Sequence, residues 1–141
     1  MKETHLCRSA KETMEFAAHM AGSFKGGEVF ALMGELGSGK TTFVKGIAQG
    51  LQSPAIVTSP TFNLAHRYPG GRLLLIHYDL YRLKKLAEVE ALDLETELQG
   101  SNVIVIEWPQ LAKSILPIHR THWIEFQEAD DNQRKLIVTK R

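Results

Sequence analysis

The chain has 141 residues, of which 43% are hydrophobic, and a formal net charge of +1. That length suits one domain with one core, and the near-neutral charge gives no support to tight, unaided binding of nucleic acid through its phosphates. One cysteine, Cys7, excludes an internal disulfide and a zinc cluster, and no apolar run approaches the roughly 20 residues that cross a bilayer.

The N-terminus, Met1 to Leu6, lacks the apolar core of a signal peptide, so a cytoplasmic location is expected. Ser9-Ala10-Lys11-Glu12 fits a capping box with Ser9 as N-cap and Glu12 reaching back. Met14, Ala17, Ala18, Ala21 and Phe24 form the apolar stripe of the helix that follows, and Gly26-Gly27 ends it. Thr13 reads either as an ordinary helix residue or as one that reaches a nucleotide base.

Val29 to Met33 is an apolar run with the character of a buried strand. It leads into Gly34-Glu35-Leu36-Gly37-Ser38-Gly39-Lys40-Thr41, which matches the phosphate-binding loop G-x-x-x-x-G-K-[ST] at every fixed position. The glycines allow the loop backbone to approach a phosphate, and successive N–H groups then form an anion nest at the start of a helix. Phe43, Val44, Ile47, Ala48 and Leu51 give that helix its apolar face. The motif assigns phosphate contacts to Glu35, Gly37, Ser38, Gly39, Lys40, Thr41 and Thr42, with Lys40 on the β- and γ-phosphates and the Thr41 hydroxyl on Mg²⁺.

Two prolines and several hydroxyls between Ser53 and Leu64 argue against helix. A short strand at Ala55 to Thr58 is expected there, then a loop. That loop is either a surface turn or a switch placing Ser59 or Thr61 near a γ-phosphate. Phe62 to Tyr68 alternates loosely as a further strand, with Pro69-Gly70-Gly71 as a hairpin turn. Leu73 to Tyr78 is a strand ending at Asp79, and α/β folds place their chemistry at such strand ends. Asp79 is placed to orient an attacking water, to hold a metal-bound water, or to cap the next helix.

Leu86, Val89, Leu92 and Leu98 suggest helical structure broken at Asp93 and ending at Gly100. Val103 to Ile106 is an apolar strand closed by Glu107, like the strand whose terminal acid binds Mg²⁺ beside a phosphate-binding loop. That acid is usually Asp, so Glu107 departs from the pattern. Trp108 either packs over the site or anchors the core. Gln110 to Leu116 is a short helix stopped by Pro117. Thr121 to Phe126 and Arg134 to Val138 pair as a hairpin across a polar turn. Arg134, at the turn's exit, either contacts a nucleotide or is solvated. The six histidines show no common metal spacing.

The predicted architecture is α/β: a P-loop NTPase fold over 1–141, with a mixed sheet whose parallel core is flanked by helices and whose edge strands are antiparallel. The series Gly34 to Phe43, Ser59-Pro60-Thr61-Phe62, His77-Tyr78-Asp79-Leu80-Tyr81-Arg82-Leu83 and Ile106-Glu107-Trp108-Pro109 resembles the TsaE family, formerly called YjeE. The resemblance covers most of the chain.

That resemblance implies a bacterial ATPase that assists threonylcarbamoylation of tRNA adenosine next to the anticodon, working with TsaD and TsaB and meeting tRNA through that complex. It implies ATP and Mg²⁺ as cofactors. It puts Lys40 on phosphate, Thr41 and Glu107 on Mg²⁺, Asp79 in support of hydrolysis and Trp108 near the nucleotide. Thr13 and Arg134 match less specific family positions. Ser38 stands where the family often has Ala. Two other classes fit the motifs: a small-molecule P-loop kinase, for which the chain leaves little length for a lid, and a non-catalytic nucleotide-gated adaptor. No N-K-x-D base-reading motif for GTP appears.

Overall fold

The computed structural model describes residues 1–35, 37–58, 60, 64–130 and 132–140. Ser59 and Thr61, the switch candidates, lie outside the described residues, as do Phe62 and Asn63 of the expected strand.

Seven strands form one sheet in the order β1-β7-β6-β2-β5-β4-β3. The centre is parallel: β2 (Val29–Met33) lies between β5 (Val103–Glu107) and β6 (Thr121–Glu128), and β4 (Leu75–Asp79) pairs with β5. Both faces of the three central strands β2, β5 and β4 are covered, which explains their near-continuous apolar sequences. The edges are antiparallel. β3 (Ala65–Tyr68) pairs with β4, while β7 (Arg134–Lys140) pairs with β6 and with β1 (Lys2–Cys7). This is the mixed α/β sheet of a P-loop NTPase.

The helices α1 (Ala10–Ala21) and α2 (Lys40–Gly50) cover one face, where Ala17, Ala21, Phe43, Val44 and Ile47 pack on Phe30, Leu32, Val105 and Ile124. The short helices α3 (Leu86–Glu90) and α4 (Leu94–Leu98) cover part of the other, where Val89, Leu94 and Leu98 meet Ile76, Ile104 and Ile106. Asp93 separates them in a left-handed conformation, φ 56°. The segment Pro109–Ile115 is a 3-10 helix bounded by Pro109 and Pro117.

Ser9 caps α1 as expected, its Oγ accepting from the Glu12 amide at 3.1 Å. Glu12 reaches back one residue further than a capping box requires, accepting from the Arg8 amide at 3.0 Å. The strand expected at Ala55 to Thr58 does not form. Pro54 and Pro60 flank it, and Thr58 spends both backbone groups on the Tyr68 hydroxyl, its amide donating at 3.2 Å and its carbonyl accepting at 2.8 Å. Strand β1 has no counterpart in the sequence reading, because it buries only Cys7 and leaves an edge without apolar alternation.

α1 and α2 touch through small residues. A Cβ on Gly46 would run into the Met14 carbonyl and come within 2.7 Å of the Ala17 Cβ; on Gly50 it would meet Ala18 and Ala21 likewise. Replacing a helical glycine by alanine ordinarily gains up to about 1 kcal/mol. Here overpacking reverses the sign, and Gly46→Ala should cost about 1–3 kcal/mol. A lower denaturant midpoint at unchanged m-value is the expected result, and an unchanged or higher midpoint would contradict the close crossing.

Candidate functional site

Parallel register brings the C-terminal ends of three neighbouring strands together. Leu32 lies opposite Glu107, and Glu107 opposite Asp79, so the loop after β2 emerges beside both acids. The loop backbone uses left-handed conformations at Gly37 (φ 77°) and Gly39 (φ 104°), the latter being the N-cap of α2. At Gly34 a Cβ would come within 2.8 Å of the Ser38 Oγ and 3.0 Å of the Phe126 carbonyl. The Ser38 hydroxyl is buried with no partner among the described residues, so an alanine there would lose no bond.

A cavity of about 250 Å³ opens over the loop, lined by Gly37, Gly39, Lys40, Thr41, Thr42, Asp79, Glu107 and Trp108. Seven of these eight lining residues are predicted phosphate, metal or catalytic positions; the eighth, Trp108, is predicted near the nucleotide. Lys40 is 4% exposed; its Nζ donates to the Gly34 carbonyl at 2.7 Å and sits 4.0 Å from the Trp108 ring centroid. Burial pulls the Lys40 ammonium below the usual lysine range, opposed by the charges of Glu107, Asp79 and Glu35.

Asp79 does not cap a helix. Its Oδ1 accepts from the Tyr81 amide at 3.0 Å in a local turn, and α3 begins only at Leu86. Burial raises the Asp79 carboxyl above its ordinary value. The Tyr81 amide opposes that, the Glu107 charge reinforces it, and His77 and Lys40 oppose it. Trp108 is in the left-handed region, φ 56°; its ring centroid lies 4.8 Å from that of Tyr81 and 4.0 Å from the Lys40 Nζ. It is a wall of the cavity rather than a core anchor.

Arg134 and Thr13 lie on the other side of the loop. A second cavity of about 210 Å³ is lined by Ala10, Thr13, Gly37, Gly39, Thr42, Asn132 and Arg134. Arg134 is not simply solvated: its Nε donates to the Ser38 carbonyl at 3.0 Å and its guanidinium to the Gly37 carbonyl at 3.2 Å. The first residue of β7 thus braces the loop. Glu35 is exposed and outside both linings. A larger cavity of about 390 Å³, between Met33, Lys113, Leu116, Ile118 and Trp123, contains none of the predicted residues and is mainly apolar.

Sequence reasoning missed His77. It is fully buried in β4, and its Nε2 lies 2.5 Å from the Glu107 Oε2. The available signal was a polar residue inside an apolar strand, two positions before Asp79 and therefore on the same face.

The family model for threonylcarbamoyl adenosine biosynthesis protein TsaE matches residues 7–136. This chain belongs to the TsaE family. It is 40% identical to the tRNA threonylcarbamoyladenosine biosynthesis protein TsaE of Bacillus subtilis, covering 92% of this chain and 80% of that protein. It is 35% identical to the TsaE of Aquifex aeolicus, covering 100% and 98%. A crystal structure of YdiB from Bacillus subtilis superposes with a TM-score of 0.79 at 33% identity, covering 99% of this chain and 86% of that one.

The raised Asp79 carboxyl has a consequence for stability. Above its shifted value the folded state holds a buried charge that the unfolded state solvates freely, so ionisation favours unfolding. Asp79→Asn should therefore raise the melting temperature at pH 7, since the amide oxygen can still accept from Tyr81. The advantage should shrink on acidification, as the wild-type carboxyl takes up its proton in the folded state first. Thermal denaturation from pH 7 to pH 4 tests this; a gap that widens on acidification would be the wrong sign.

Proposed function

We propose that this TsaE-family chain binds Mg·ATP on its phosphate loop and hydrolyses it slowly, in the cytoplasm, in support of a TsaD–TsaB complex that threonylcarbamoylates tRNA adenosine next to the anticodon. The observation that carries this reading is the convergence of Lys40, Thr41, Asp79 and Glu107 on one cavity at the ends of three adjacent strands. The family membership supports the place in tRNA modification.

The donor set fits Mg²⁺. Thr41, Glu107 and Asp79 offer hard oxygens, and among the described residues no group of three or more His, Cys, Asp or Glu is placed to hold a metal alone. Mg²⁺ is usually held by one or two protein oxygens together with phosphate and water. The Thr41 hydroxyl and the Glu107 carboxylate would hold it, and bound there it would neutralise charge on the β- and γ-phosphates.

The chain's own groups do the rest. The loop amides and the N-terminal end of α2 receive the phosphates. Lys40 exchanges its bond to the Gly34 carbonyl for a phosphate oxygen, within a site whose burial strengthens that attraction. Asp79 is within the same cavity, fixed by Tyr81, and orients the attacking water. Trp108 excludes bulk water from the side of Lys40. The nucleoside part extends into the second cavity between Thr13 and Arg134.

Multiple-turnover tRNA modification by TsaD–TsaB decides the reading. Lys40→Ala should lower ATP hydrolysis by about 10²–10³-fold, the loss typical of one transition-state donor. Both Lys40→Ala and Glu107→Ala should lower the modification yield over many turnovers. Equal yields from wild type and both variants would overturn the assignment. Transfer of the γ-phosphate to an acceptor instead of water would mark a kinase.

A further inference from the structure

His77 occupies the centre of β4 on the face covered by α1 and α2, in register with Val105 of β5. Its neighbours on that face, Leu75 and Val105, are fully buried and apolar. An aliphatic side chain would satisfy the packing. A buried imidazole costs free energy unless it is bonded, and the His77 Nδ1 has no partner among the described residues. Among the described residues, the one side-chain hydrogen bond of His77 is from Nε2 to the Glu107 Oε2, at 2.5 Å. Glu107 is itself 4% exposed, yet it lines the cavity with Lys40, Thr41 and Asp79.

We propose that His77 is a positioning residue for Glu107: its Nε2–H fixes Oε2, leaving Oε1 to face the cavity. Among the described residues no hydrogen bond reaches Oε1. A carboxylate oxygen accepts, so the bond places a hydrogen on Nε2. The arrangement answers a problem set by the sequence. Where the usual acid is the shorter Asp, this chain has Glu, with one more rotatable bond to immobilise. A donor fixed within the core removes that freedom before any ligand arrives. Such outer partners of a metal-binding carboxylate are typically worth 10–100-fold in metal affinity.

The proposal rests on Glu107 as a Mg²⁺ ligand, and its test separates the two ideas. Binding of the non-hydrolysable analogue AMP-PNP is titrated with Mg²⁺ for wild type, Glu107→Gln, His77→Leu, His77→Asn and His77→Gln, with a melting temperature for each. The Gln amide nitrogen reaches about where Nε2 stands; the Asn amide falls short. His77→Leu and His77→Asn should raise the half-saturating Mg²⁺ about 10-fold, while His77→Gln stays nearer wild type. AMP-PNP binding in EDTA should not distinguish the four proteins that keep Glu107.

If Glu107→Gln leaves the Mg²⁺ dependence unchanged, Glu107 does not hold the metal. If Glu107→Gln shifts it but His77→Leu and His77→Asn do not, or if Gln and Asn are equally impaired, His77 is only a packing residue. Should the Leu variant fail to fold, the contrast between Gln and Asn still decides, because both place an amide in the same core position.

Discussion

The parallel pairing of β2 with β5, and of β5 with β4, is the constraint on which the rest depends. It fixes Leu32 against Glu107 and Glu107 against Asp79, so one edge of the sheet carries the loop and both carboxylates. A one-residue slip would turn Glu107 and Asp79 to the opposite face, away from Lys40. The register is secured by burial rather than by the acids. Phe30, Leu32, Val103 and Val105 face α1 and α2, while Val29, Ala31, Ile104 and Ile106 face the short helices. Reversing either set would expose an apolar face. The close crossing at Gly46 and Gly50 then holds α2, and with it the N-terminal end that opens onto the loop.

The site concentrates charge where burial makes charge expensive. Lys40, Glu107 and Asp79 share a small cavity, and burial moves Lys40 and Asp79 in the directions that weaken their charged forms. Trp108 adds backbone in a conformation that non-glycine residues rarely adopt. None of these features is explained by stability of the free chain. They are the features that the proposed binding of a polyanion and its counter-ion would account for.

Much of this was legible in the sequence because the residues act through local pattern. The loop announces itself through glycine spacing and Lys40-Thr41, and the acid-ended strands through apolar runs closed by a carboxylate. Asp93 separates two helical pieces as its position suggested. What failed did so for identifiable reasons. Ala55 to Thr58 looked like strand, but Thr58 bonds a tyrosine hydroxyl instead of a neighbouring strand. β1 is an edge strand with a solvated face, which hydrophobic periodicity cannot detect. Arg134 binds loop carbonyls 96 and 97 residues away in sequence, a contact that no local window contains. The His77–Glu107 bond spans 30 residues and is invisible for the same reason.

The nearness of the Trp108 ring to the Lys40 ammonium gives the site an optical property. Indole emission responds to a cation held 4.0 Å from its ring, and that cation is the lysine of the loop motif. The chain has two tryptophans, and the other, Trp123, lies in a separate cavity on the β6 side of the sheet. A change in the position of the Lys40 ammonium would therefore be reported by the protein's own fluorescence. Removing Trp123 would isolate that signal, so movement of Lys40 could be followed in real time without attaching a dye.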